Sequence, residues 1–440
     1  MPSDDEIRKI LVERIDTGHQ SVGIVVGVIE PGGRRVVSYG SFSTTDKRPV
    51  NGDTVFEIGS VTKVFTSLLL ADMVQRGEVK LTDPISKYLP LEVKVPERAG
   101  RSITFEDLST HTSGLPPMPS NLTPKDPDNP YADYTVEQLY QFLLSYTLPR
   151  DIGSKFEYSN LGGGLLGHVL ARRAGMDYET VVRTRILEPL GMNNTRIALT
   201  PQMQAQLAGG HNLAMEPTKN WDLPTLAGAG ALRSNANDML KFLAANLGYT
   251  ESPLAPAMAA MLKERRSAGT APAATIEVGL AWMITTRGET QIVWHNGGTG
   301  GYRTFVGYDL KRRVGVVALS NASTTLGVDD IGMHLLDARL ALVSPPKEHK
   351  QITVDPAILD GYVGRYQIAP NFIITVTREA DRLFGQPTNQ PRFEMFPEGP
   401  RDYFLKLVEA QITFEVDAEG RTTGLDLHQN GRDGPARRIE

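Results

Sequence analysis

The chain has no cysteine. That absence removes disulfides, thiolate metal sites and cysteine nucleophiles together. It leaves the compartment open, since a disulfide-free protein folds in either redox environment. An excess of charge of one sign is also missing. The 46 Lys and Arg against 51 Asp and Glu leave a formal net charge of -5, so no basic face of the kind nucleic-acid binders carry is expected. The pair Arg312-Arg313 reads as a solvated turn. Long apolar runs are absent: Ile24–Ile29 and Leu68–Ala71 are far too short to span a bilayer. No apolar h-region follows the acidic start Met1-Pro-Ser-Asp-Asp-Glu6, so no signal peptide is expected in this chain. A cytoplasmic protein or a processed periplasmic form is expected. His111 and His168 lack a His-x-x-x-His partner, so no metal site is expected. No internal period of about 20–50 residues marks a solenoid.

What is present suffices for one large domain and one small one: 440 residues, 40% of them hydrophobic, a normal globular fraction. The β-branched run Ser21–Ile29, the turn Pro31-Gly-Gly and the return Arg35–Gly40 predict a hairpin of buried strands. From Val61 to Arg76 the apolar residues fall at helical spacing, and Gly77 is a stop. Residues from about 100 to 190 read as mostly helical, broken by a Pro-, Asn- and Asp-rich loop between Pro116 and Tyr131. Strands are predicted at Glu277–Thr285, Gln291–His295, Thr304–Tyr308 and Val314–Ser320, then a closing helix at Asp330–Leu342. The expected architecture is α/β (α+β). An antiparallel sheet built from both ends of this region is flanked by helices, with an all-helical insert and a cleft where the two meet. Ser344–Lys350 reads as a linker. Six short strands follow, at Phe372–Thr377, Leu383–Gln386, Phe393–Phe396, Tyr403–Leu407, Thr413–Val416 and Gly424–Leu427, with turns such as Asp417–Gly420 and Asn430-Gly431. They predict a small antiparallel barrel or sandwich. The domains are drawn at 1–343 and 352–440.

Three short motifs carry chemistry. In Ser60-Val-Thr-Lys63 the serine stands where a helix begins, so its N–H lies among the unpaired donors of a helix N-terminus. Lys63 is one turn on and on the same face. Beside Val64 and Phe65 it would be poorly hydrated, and desolvation turns a lysine into a proton acceptor. Tyr158-Ser-Asn160 is the only Tyr-x-Asn and His295-Asn-Gly297 the only His-x-Gly in the chain. The second lies at a strand end among glycines that would let a substrate backbone run along the strand edge. Two other glycine-rich stretches, Asn160–Gly164 and Asn296–Gly301, fit neither a dinucleotide nor a P-loop spacing and read as close packing.

Taken in this order, the three motifs resemble the penicillin-recognising serine hydrolases, whose related set is Ser-x-x-Lys, Ser-Asp-Asn and Lys-Thr-Gly. The Tyr-x-Asn form resembles the branch holding class C β-lactamases, D-Ala-D-Ala carboxypeptidases, D-aminopeptidases and β-lactamase-fold esterases. Phe56–Lys63, Leu108–Leu115, Glu188–Met192, Gly228–Ser234 and Gly315–Asn321 look like the same branch, so the resemblance spans roughly residues 5–342. It implies a β-lactamase-like fold with Ser60 as nucleophile, and Lys63 as base or as the group that orients the base. Tyr158, as a phenolate or through a proton shared with Lys63, would take the Ser60 proton and pass it to the leaving group, and Asn160 would hold Lys63 and the acyl side chain. His295 and Gly297 would line the substrate, and the N–H groups of Ser60 and Gly298 would form an oxyanion hole. No metal or organic cofactor is implied. The substrates implied are β-lactams or amides of D-amino-acid peptides. Alternatives are short acyl esters, or acylation by penicillin with little turnover. A lysine at the third motif would supply a permanent positive charge; a histidine near its ordinary pKa supplies it only partly. The apolar loop Pro116–Pro119 suits an ester or a hydrophobic acyl group. The C-terminal strands resemble lipocalin-like domains of relatives. Such a domain is expected to cover the cleft or to join copies in a homo-oligomer, restricting large substrates.

Overall fold

The run Gly23–Glu30 forms strand β1, and its side chains alternate between two cores: Val25 packs into one cluster, Ile24, Val26 and Val28 into another. A strand buried on both faces reads as a continuous apolar run, not an alternating one. The computed structural model describes residues 1–271, 273–343, 349–369, 372–388, 392–405, 410–429 and 432–440. They divide into two compact units, Met1–Pro345 and Pro346–Glu440.

In the first unit β1 pairs with β2 (Gly33–Gly40), and the remaining strands come from the far end of the unit: β3 (Arg266–Ala271), β4 (Ala274–Val278), β5 (Met283–Arg287), β6 (Thr290–Gly298), β7 (Arg303–Asp309) and β8 (Val314–Ser320). Their order is β2-β1-β8-β7-β6-β5-β4-β3, antiparallel throughout. The junction of the two chain ends is pinned where the Gly23 N–H donates to Asn321 Oδ1 at 2.7 Å, across 298 residues of sequence. Helices α1 (Asp4–Val12) and α4 (Asp329–Leu336) cover one face through Ile7, Leu11, Ile331 and Leu335. The other face carries the helical region, centred on α2 (Thr62–Gln75) and α3 (Asn160–Ala174). Helix α2 is apolar almost all round, and such a helix belongs inside; its first twelve residues are buried.

The sheet has more strands than the sequence predicts. The run Glu277–Thr285 is two strands, because Gly279–Trp282 makes a tight turn with Ala281 at φ +63° and the Gly279 N–H bonded to Trp282 O at 2.8 Å. Leu280 and Trp282 are buried, so an apolar turn reads as continuous strand. Strand β3 is built of small and mostly exposed residues and carries no strand signal. The closing helix stops at Leu336, six residues short of the expected end. Asp337 turns to extended backbone, and its carboxylate is held by Arg339.

The second unit is a short helix, Pro356–Tyr362, and a closed eight-stranded antiparallel barrel. Its interior stacks Tyr362 on Phe414 at 4.1 Å between ring centroids, with Tyr366, Leu383, Ile412 and Leu425 buried around them. The first and last strands, Gly364–Ala369 and Arg432–Arg438, were not among the six expected. The last is Arg-Asp-Gly-Pro-Ala-Arg-Arg, whose charges and proline mimic a loop. The linker at Ser344–Lys350, the end of the strand at Tyr403–Leu407 and the turn at Asn430-Gly431 lie wholly or partly outside the described residues. Among the described residues, no helix is long and apolar enough to cross a membrane.

Candidate active site

Ser60 lies in a 3-10 turn, Gly59–Val61, that runs directly into α2. The turn needs glycine at 59. Its φ is +50°, and a Cβ there would fall 2.7 Å from the backbone nitrogen of Gly298. The Ser60 turn and the end of β6 are thus in backbone contact. Phe56-Glu57 pairs with Arg233-Ser234, and the Ile58 N–H donates to Leu232 O at 3.1 Å. That pairing draws the segment 227–234 against the base of the site.

Lys63 is 2% exposed. Its ammonium spends all three donors, on Ser60 Oγ at 3.1 Å, Asn160 Oδ1 at 2.8 Å and the Ala229 carbonyl at 2.7 Å. Every acceptor is neutral, so burial is unopposed and brings its pKa from 10.5 to about 7. Tyr158 hangs over the same amine, its ring centroid 4.8 Å from Nζ. The phenol is buried and makes no hydrogen bond of good geometry. Burial pushes its pKa up, and the Ser60 hydroxyl facing it pulls the other way. Asn160 is the first residue of α3, whose cap is Ser159.

His295 stands at the third corner, its ring 6.2 Å from that of Tyr158. Its Nδ1–H donates to the Asn296 carbonyl at 2.6 Å, which leaves Nε2 as the acceptor. Burial first, then Lys63, lower its pKa to about 4. The imidazole is therefore neutral near pH 7 and carries even less positive charge than its ordinary pKa implies. Gly297 and Gly298 follow on the edge of β6 that faces Ser60.

The structure thus brings together Ser60, Lys63, Tyr158, Asn160, His295, Gly297 and Gly298 from segments far apart in sequence. It adds groups the sequence did not single out. Ala229 acts through a backbone carbonyl, which leaves no sequence signature. Tyr131, Trp221, Leu223 and Thr299 line a narrow cavity of about 20 Å³ at Ser60, with Tyr131 and Trp221 in ring contact at 5.3 Å. Trp221 is clamped at both ends of its backbone: its N–H donates to Glu57 at 2.9 Å, and its carbonyl accepts from Arg233 at 3.0 Å. Glu57 and Arg233 pair beneath it at 3.1 Å. The Pro116–Pro119 loop packs on the second motif: the carbonyl of Pro117 accepts the N–H of Asn160 at 3.0 Å, and that of Pro116 accepts the Ser159 hydroxyl at 2.6 Å. A larger cavity, about 750 Å³ beside Arg8, Asp16 and Tyr39, is lined by none of the motif residues. Among the described residues no cluster of His, Asp or Glu could hold a metal ion.

A family model described as beta-lactamase matches residues 9–338. The chain belongs to the β-lactamase family. It is a serine hydrolase, and at family level a penicillin-recognising one. A second family model, a domain of unknown function designated DUF3471, matches residues 348–436. Penicillin-binding protein 4* of Bacillus subtilis is 26% identical, with 98% of each chain covered. The D-alanyl-D-alanine-carboxypeptidase/endopeptidase AmpH of Escherichia coli is 30% identical over 71% of this chain and 82% of its own. A crystal structure of a beta-lactamase/D-alanine carboxypeptidase from Yersinia pestis superposes with a TM-score of 0.66 at 26% identity, covering 77% of this chain and 98% of that one.

Proposed function

We propose that the protein hydrolyses β-lactams or amides of D-amino-acid peptides through an acyl-enzyme at Ser60. The observation that carries this reading is the contact of Ser60 Oγ with a lysine amine at 3.1 Å whose pKa is brought to about 7. Near neutrality that amine is partly unprotonated and takes the hydroxyl proton as Oγ attacks the carbonyl carbon. The new C–O bond gives a tetrahedral oxyanion, which the N–H groups of Ser60 and Gly298 stabilise. Tyr158, a neutral phenol, relays: it accepts the proton held by Lys63 as it gives its own to the leaving nitrogen, and the C–N bond breaks. Water then hydrolyses the ester and restores the Ser60 hydroxyl. Asn160 holds Lys63 in place, and His295 and Gly297 line the leaving-group side. Residues 1–343 form the hydrolase domain in this reading and 352–440 a small, separate barrel domain.

A second reading, a carboxylesterase for short acyl esters, draws on the apolar walls Tyr131, Trp221 and Leu223 and on a neutral His295. Burst and steady-state rates with nitrocefin, D-alanine p-nitroanilide and p-nitrophenyl butyrate separate the two. A burst on nitrocefin with no steady state assigns penicillin binding without turnover. Ser60→Ala is expected to abolish labelling by a fluorescent penicillin or an active-site phosphonate. Label retained at another residue would reject the assignment.

A further inference from the structure

We propose that His111 is a positioning residue that holds the Tyr158–Asn160 segment in register with Lys63; the proposal rests on Ser60 being the residue that is acylated. His111 is 3% exposed and meets the chain entering that segment at three consecutive residues, Glu157 to Ser159. Its carbonyl accepts the N–H of Glu157 at 2.8 Å. Its ring lies against the Tyr158 ring at 4.5 Å and 33°. Its Nδ1 accepts the N–H of Ser159 at 3.1 Å. Ser159 caps α3, and Asn160, the first residue of that helix, is the one that grips Lys63 Nζ. A shift of His111 therefore passes to the phenol and to the lysine's amide partner together.

Two further observations mark the residue as held by design of the site. Its φ is +57°, a region that non-glycine residues rarely enter and that persists where the surroundings over-determine it. With Nδ1 as acceptor, the ring proton sits on Nε2, and that buried N–H has no hydrogen-bond partner. A cavity of about 10 Å³ beside the ring is shared with Lys63, Ser67 and Ser109, and the imidazole is held by its Nδ1 bond and by contact with the Tyr158 and Phe156 rings. Only a neutral ring accepts from Ser159. Burial, with Lys63 and His295 nearby, holds the His111 pKa well below its ordinary value, which keeps Nδ1 an acceptor throughout the range in which Lys63 titrates.

The test uses the full chain and the rate at which a fluorescent penicillin acylates Ser60, followed against pH. The groups facing Lys63 are Tyr158, His111 and His295, and the wild-type low-pH limb is expected near pH 7. His111→Phe keeps a ring but loses the acceptor. It is expected to slow acylation by about 10²-fold, the scale of an ångström's misplacement, and to move the limb to higher pH as Lys63 gains water. His111→Asn offers an oxygen in place of Nδ1 and tolerates a positive φ; it is expected to recover most of the rate and return the limb. Thermal melts of the same samples separate unfolding from misplacement. Folded variants whose limb stays where the wild type has it, with Asn no better than Phe, would overturn the role of His111. Wild-type protein that takes no label at Ser60 would instead overturn the Ser60 reading, and this proposal with it.

Discussion

Gly163 lies against the stem of Lys63: a Cβ on Gly163 would fall 2.9 Å from Lys63 Cε. The first turn of α3 is therefore glycine so that the lysine can pass beneath it and reach Ser60. Gly163→Ala is expected to displace the amine from Ser60 and Asn160 and to lower the acylation rate by about 10²-fold. Overpacking of this kind costs about 1–3 kcal/mol of stability. Stopped-flow acylation and a thermal melt measure the two effects; a rate within a few-fold of wild type would mean that the stem has room to move.

The pH dependence of acylation follows from Lys63. Its pKa of about 7 puts the reactive, unprotonated amine above that value. The second-order rate constant is expected to climb through pH 7 and level off above it. His295, lowered to about 4, adds nothing to that limb. A profile flat from pH 5 to pH 9 would exclude Lys63 as the base.

The Glu57–Arg233 pair fixes Trp221 at the wall of the cavity. Both partners are buried; removing Arg233 leaves the Glu57 carboxylate without its cation, at a cost of about 3–5 kcal/mol, whereas removing Glu57 costs less because Arg233 keeps a second partner in Asp222 at 3.6 Å. Glu57→Gln and Arg233→Met are each expected to lower the melting temperature and to raise KM for bulky acyl groups more than they lower kcat. The double variant is expected to recover part of the stability. Strictly additive losses in the double-mutant cycle would show that the two side chains do not act as a pair.

Acid should destabilise the fold through His295. Its folded pKa is about 4 against an ordinary 6.5, so between those values the unfolded chain binds a proton that the native state refuses. The stability it contributes is complete above about pH 6.5 and is lost as pH falls toward 4, about 3 kcal/mol at most. His295→Gln is expected to make that part of the curve shallower by its own share, while His111 and His168, also held below their ordinary pKa by burial, keep theirs. Urea unfolding of both proteins at neutral and mildly acidic pH reads the difference, and identical slopes would count against a buried, neutral His295.

The sequence made the side chains that converge at the candidate site legible because the chemistry proposed for them requires particular residue types at short spacing: a serine one helical turn before a lysine, a tyrosine two before an asparagine. It could not expose Ala229, which acts through its backbone, or Trp221, whose place depends on a buried ion pair with members 176 positions apart. In the fold, β1 and α2 were readable from their apolar patterns, and the family resemblance supplied the overall class. Strand β3 and the barrel's last strand were not, since their exposed or charged residues are the ones loops also use. The apolar turn Gly279–Trp282 failed in the opposite sense, looking like strand because it is buried.

The pairing of β1 with β8 has a consequence for the chain as it is made. Gly23 leaves the ribosome 298 residues ahead of Asn321, an interval of about 15–60 s at ordinary rates of synthesis. Until then the first hairpin exposes an apolar edge with no neighbour. A nascent or prematurely terminated chain therefore presents that unpaired edge to its surroundings, where it is a template for pairing with other chains.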